Sequence, residues 1–314
     1  MITPKPQHFS SRVFGLAAPV VAPDIFPGLR AGAIGILAAP PGTGKSYWLL
    51  ELALSYSAGI PLFSVLPTIS TSRRVLYITV EAENQLDDFL LRRWLILQQF
   101  PALKHVYEQT ADNLQFLIYS TPVPPGQLQA DIKSMGYTPE IIIIDTLSQF
   151  LSLGTDENDN VKMSAEMGQF HQLAVCYGCI VLIAHHTAKS ATLNGTGDKQ
   201  EAIRGASSIT GTARLAMTLS AGDNRTVKLS LVKINNGRRW DPHVLRRNAD
   251  GVLVDDFCLV PPPNTTFELI SSSTTTQVQA EPIIKDDKPS VARYDFDSMA
   301  DMEVDDIFCQ RLFA

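Results

Sequence analysis

The stretch LAAPPGTGKSYWLL, residues 37–50, sets the reading of the whole chain. A short apolar run ends at Ala39, Pro-Pro-Gly-Thr-Gly follows, and Lys45 and Ser46 precede apolar residues that recur every three or four positions. That order predicts a buried strand, a tight loop and the start of a helix. Such a loop converges backbone N–H groups on one point, and the helix N-terminus adds partial positive charge there. Pro40 and Pro41 carry no N–H, so the donors fall to Gly42, Thr43, Gly44, Lys45 and Ser46. In a phosphate loop Lys45 would contact the β- and γ-phosphates of ATP, and the Ser46 hydroxyl would face Mg²⁺. The strict pattern has glycine where this chain has Ala39, which is tolerable only if that residue keeps a negative φ. The plain alternative is a helix-capping turn with a surface lysine.

A second stretch, EIIIIDTLSQF at 140–150, ends a β-branched apolar run in Asp145. A carboxylate at that place is suited to hold the Mg²⁺ shell of a bound triphosphate. Thr146 follows it, so a water-orienting carboxylate has to come from elsewhere. VLYITVEAENQ at 75–85 supplies Glu81 directly after another apolar run. Strand C-terminal ends surround the ligand crevice of an open parallel sheet, so Glu81 is the expected general base and Glu83 the runner-up. Glu83, Asp87 and Asp88 also fit the acidic first turn of the next helix. A third run, CIVLIAHHTAKS at 179–190, ends in His185 and His186. Adjacent strand residues face opposite ways, so one histidine is expected at the γ-phosphate and the other in the packing.

Short apolar runs alternate with amphipathic stretches from residue 33 to about 260. Strands are expected at 33–38, 75–80, 114–119, 140–145, 179–184, 213–220, 226–234 and 251–257, and helices at 45–58, 83–98, 125–135 and 161–177. This is an α/β pattern: a mainly parallel twisted sheet flanked by helices. The last three strands lack intervening helices and predict antiparallel hairpins at the C-terminal edge. The expected organisation is an irregular lead-in over 1–30, one ATPase domain over 31–261 and an acidic, disordered tail over 262–314.

Of 314 residues, 45% are hydrophobic and 18% charged, which suits one large α/β domain. The net charge is −6, and residues 281–314 hold nine acids against four bases, so nearly all of it lies in the tail. Global charge therefore gives no argument for nucleic-acid binding, although a local basic loop remains compatible. No run reaches the length of a membrane span, and the N-terminus lacks the order of a secretory signal, so a cytoplasmic location is expected. Cys176 and Cys179 have C-x2-C spacing, but no second pair completes a zinc site; packing is the expected role.

Taken together, the phosphate loop, Glu81, IIIIDTLSQF, GCIVLIAHHTAKS, GTGDKQEAIRGASSITGTARLAM and LVKINNG resemble the RecA-like P-loop ATPases, and among them the RepA-type hexameric replicative DNA helicases of plasmids. The resemblance runs from about residue 15 to 257. It implies a RecA-like fold and a homohexameric ring with ATP and Mg²⁺ at each subunit interface, moving on single-stranded DNA. Lys45, Ser46, Glu81, Asp145 and His186 match the family's site position by position. Arg214 matches its candidate arginine finger, which would reach a neighbour's site; Arg204 is the alternative. Lys233 resembles an interface base of the related DnaB-type helicases, which carry arginine where this chain has Asn235. The loop 187–203, with Lys189 and Lys199, corresponds to a channel-lining loop in such rings. A replication partner could bind the acidic tail. A contrasting reading is an ATP-binding regulator or scaffold in recombination, repair or plasmid control with little hydrolysis.

Overall fold

Strand β1, Ile34–Ala39, is buried at every position. Ile34, Ile36 and Ala38 enter one hydrophobic core, whereas Leu37 and Ala39 enter another. A strand with apolar residues on both faces is covered on both faces, and this one lies inside a nine-stranded sheet. The computed structural model describes residues 21–66, 69–81, 86–188, 197, 199–205 and 207–255.

The remaining strands are β2 (Val75–Val80), β3 (Leu114–Tyr119), β4 (Ile141–Asp145), β5 (Ile180–His186), β6 (Leu215–Ala221), β7 (Thr226–Ile234), β8 (His243–Arg247) and β9 (Leu253–Val254). Their spatial order is β3-β2-β4-β5-β1-β6-β7-β8-β9. Every pairing from β3 to β6 is parallel, and every pairing from β6 to β9 is antiparallel. Helices α1 (Lys45–Ala58), α2 (Leu86–Gln99) and α3 (Pro101–Thr110) cover one face with residues such as Leu49, Phe89 and Leu103. Helices α4 (Pro125–Ser134), α5 (Asn160–Tyr177) and the short α6 (Ser207–Thr212) cover the other through Leu128, Phe170 and Ile209. Asp159 caps α5 by accepting from the Val161 and Lys162 amides, and Gly178 ends it in the left-handed region.

The expected mainly parallel sheet with an antiparallel C-terminal edge is the observed one. Three of these elements were not foreseen: α3, β8 and the six-residue α6, which is too short to show a period. Helix α3 buries only Leu103, so its apolar period is too thin to read. Strand β8, HVLRR, buries only Leu245 and alternates weakly. The strand expected at 251–257 is described only as Leu253–Val254, and it pairs with β8 rather than β7. The end of the lead-in packs firmly, with Phe26 and Leu29 buried and bridged to each other. Glu83, Lys189 and the whole tail lie outside the described residues. No helix among the described residues is long and apolar enough to cross a membrane.

Candidate active site

Register decides what meets at the C-terminal edge of the parallel strands. Thr79 of β2 is paired with Asp145 of β4, and Ala39 of β1 with His186 of β5. The loop from Pro40 to Gly44 therefore rises beside His186, with Asp145 at the end of the strand beyond it. Ala39 is the last residue of an extended strand, and the positive-φ non-glycine residues among those described are only Asn224 and Arg225. The alanine in place of glycine is thus sterically tolerated. Gly42 and Gly44 do hold left-handed backbone, at φ 74° and 103°. A side chain at Gly44 would be strained, so glycine there is a requirement of the turn.

Helix α1 starts at Lys45 with no side-chain cap and no acid in its first turn. Its first internal bond runs from the Trp48 amide to the Gly44 carbonyl, so the amides of Lys45, Ser46 and Tyr47 precede the helical ladder. The Thr43 amide instead faces the Pro40 carbonyl at 3.4 Å, which leaves the loop with fewer outward donors than its length suggests.

Lys45 Nζ donates to Asp145 Oδ1 at 2.9 Å, with both side chains buried. Tyr77 Oη donates to Asp145 Oδ2 at 2.9 Å. Burial alone would raise the Asp145 carboxyl, but Lys45 and hydrogen bonds from Ser46, Lys45 and Tyr77 outweigh it and hold the group below the ordinary value. An ionised carboxylate beside a serine hydroxyl, under a turn of backbone amides, is a donor set that fits Mg²⁺ and a triphosphate.

Glu81 lies at the same edge, its amide bonded to the Tyr119 carbonyl at 2.9 Å. Burial raises its carboxyl, Arg92 at 3.8 Å opposes the rise, and Asp145 adds to it; the net shift is upward. The histidines divide as alternation requires. His185 is buried and its Nε2 meets the Arg204 carbonyl at 2.8 Å. His186 lines a cleft of about 380 Å³ with Gly42, Lys45, Ser46, Tyr47 and Arg92. Burial and then Lys45 hold the His186 imidazole below its ordinary value, which favours its neutral form.

The three other cations separate. The Arg204 amide bonds the His186 carbonyl at 3.1 Å, and its guanidinium lies 3.2 Å from Glu157, on the phosphate-loop side. Arg214 stands exposed at the opposite edge, where its amide bonds the Ile34 carbonyl at the start of β1. Lys233 shares that edge and donates to the Thr210 and Gly211 carbonyls at 2.6 and 3.3 Å. Burial, then Arg214 nearby, lowers the Lys233 ammonium. Asn235 is tied to the Arg214 carbonyl by its amide. In the loop after the histidines, Thr187 bridges Ile203 and the Ala188 amide bonds the Ala202 carbonyl, while Lys199 is exposed. Cys179 is buried, which pushes its thiol up to about 12, and no metal-binding cluster of His, Cys, Asp and Glu occurs among the described residues.

A family model described as an AAA domain matches residues 4–192. The chain belongs to the AAA domain family. Among solved structures, the ATPase domain of G40P is similar to this AAA domain protein over 72% of this chain and 85% of that one, at 11% identity and a TM-score of 0.52. A DnaB-like replicative helicase, solved with its interactions with primase in view, is similar over 72% of this chain and 57% of its own, at 12% identity and a TM-score of 0.52. At such identities the likeness is one of fold, and that fold is the RecA-like P-loop ATPase core.

Sequence reasoning passed over three side chains of the site. Tyr77 fell within an expected strand and Arg92 within an expected helix, neither marked by a motif, and Arg247 fell in a strand that was not seen. Arg247 Nη1 donates to the Gly42 carbonyl at 2.9 Å.

Proposed function

We propose that the chain is an ATP-dependent DNA helicase or translocase that works as a homohexameric ring on single-stranded DNA. The observation that supports this most is the meeting of Lys45, Ser46 and Asp145, together with an arginine that its own site cannot use. Ile34 and Ala39 are the two ends of β1, roughly 16 Å apart at strand rise. Arg214 is fixed at the Ile34 end and the phosphate loop begins after Ala39. An arginine side chain does not span that gap, so a finger at Arg214 has to serve a neighbouring subunit.

In this reading Gly42, Thr43, Gly44, Lys45 and Ser46 hold the ATP phosphates, and Ser46 and Asp145 hold Mg²⁺, which would neutralise charge between the terminal phosphates. Glu81 orients and deprotonates the attacking water; its raised carboxyl brings it nearer to working pH. His186, neutral and on the strand that leads into the 187–203 loop, reports the state of the γ-phosphate to that loop. Lys189 and Lys199 meet DNA phosphates in the channel. The acidic tail binds a replication partner.

The test is ATP hydrolysis by the full chain with and without single-stranded DNA, alongside native mass. Stimulation by DNA and a ring-sized mass with ATP are expected, with both turnover and unwinding lost in Lys45→Ala. Hydrolysis that stays at background with every single strand tried would instead favour the regulator or scaffold.

A further inference from the structure

Arg247 is the last residue of β8, a strand that runs antiparallel to β7 and therefore in the same direction as β1. Its end thus arrives at the sheet edge where the phosphate loop begins. The contact there is close. Besides the Gly42 bond, its guanidinium would lie 2.7 Å from a Cβ built on Gly44, so it rests against the loop's second left-handed glycine. Its Nε is buried and has no hydrogen-bond partner among the described residues. Arg247 lines both the cleft that holds Lys45 and His186 and an adjoining one of about 590 Å³. The adjoining cleft takes Arg225 and Lys228 from the β6–β7 hairpin, and among the described residues its wall has no acid.

The strand end is also anchored. Its amide bonds the Arg225 carbonyl at 2.8 Å. The turn beyond it is pinned to α1 and α2: Tyr47 Oη donates to the Asp250 carbonyl, the Leu253 amide donates to Glu51, and Asn248 donates to Gln99. A guanidinium presented by a braced strand end is pre-organised for a planar, multi-oxygen anion.

We propose that Arg247 is a nucleotide-contact residue acting in cis: it grips the phosphates of a nucleoside di- or triphosphate from the β8 side, opposite Lys45. This rests on the reading of residues 42–46 as a phosphate loop. The experiment is titration of the full chain with Mg-ADP and Mg-ATP between low and high salt, for the wild type, Arg247→Ala, Arg247→Gln and the surface control Lys104→Ala. The glutamine variant keeps a donor towards the Gly42 carbonyl without the charge, so it separates loop support from phosphate contact. Both Arg247 variants are expected to bind at least about tenfold more weakly at low salt. That gap should narrow as salt rises, and the control should match the wild type. A glutamine variant that binds like the wild type, or a gap that does not change with salt, overturns the assignment and leaves the phosphate loop intact. A wild type that binds neither nucleotide overturns both.

Discussion

Lys45 and Asp145 are separated by a hundred residues in sequence and by 2.9 Å between Nζ and Oδ1. The strand order makes this possible: β5 alone lies between β4 and β1, and both strands end at one edge. The pair is buried, so removing one partner strands the other charge. Asp145→Ala is expected to lower unfolding free energy by about 3–5 kcal/mol, measured by denaturant titration. The wild-type contribution of this carboxyl is present above its unfolded pKa and is lost as pH falls through its lowered folded value.

Tyr77 holds the other Asp145 oxygen. Tyr77→Phe leaves a carboxylate oxygen short of a donor at a cost of about 1.5–3 kcal/mol. It also brings the Asp145 pKa up, so the acid-unfolding midpoint should move to higher pH. A midpoint that stays in place would show that Tyr77 does not bear on this carboxylate.

Glu51 is fully buried on α1, accepts from the Leu253 amide and has one oxygen without a partner among the described residues. Burial, against the weaker pull of the Leu253 amide and Arg247, raises its carboxyl well above the ordinary value. The folded state therefore binds more protons than the unfolded one, and stability falls as pH rises past the unfolded value of about 4.3. Glu51→Gln is expected to raise Tm more at pH 8 than at pH 5, read from thermal scans at both.

How far the chain could be read in advance follows from burial. The parallel strands are apolar on both faces, and their ends carry the polar residues, so Ile34–Ala39 and Ile141–Asp145 were visible together with Lys45 and Asp145. His185 and His186 could be assigned opposite directions from alternation alone, though not which was which; the bond from His185 to the Arg204 carbonyl decides it. Within the half-exposed edge, strand β8 was opaque. HVLRR carries one buried residue, and nothing local marks Arg247 as a neighbour of Gly42, since the contact depends on one parallel and two antiparallel pairings between β1 and β8.

The two histidines should fail differently. His185→Asn disturbs a buried contact and is expected to cost about 1–3 kcal/mol of stability with nucleotide affinity largely retained. His186→Asn should leave stability near wild type and abolish the rise in ATP hydrolysis on adding single-stranded DNA. Equal stability losses in the two would remove the distinction.

Arg214→Ala should abolish turnover without changing nucleotide affinity of the isolated subunit. Glu81→Ala should do the same through a different site. Mixing the two inactive proteins before assembly is expected to restore measurable ATPase activity, because some interfaces then pair an intact Glu81 with an intact Arg214. Mixtures that stay as inactive as their parents would place both residues in a single site.

If Arg214 serves a neighbour as proposed, the distance from the Ile34 end of the sheet to its Ala39 end becomes a ruler. In the proposed ring, the phosphate loop would stand at one end of these strands and the candidate finger at the other, so the length of β1 and β6 would set how far apart consecutive sites lie.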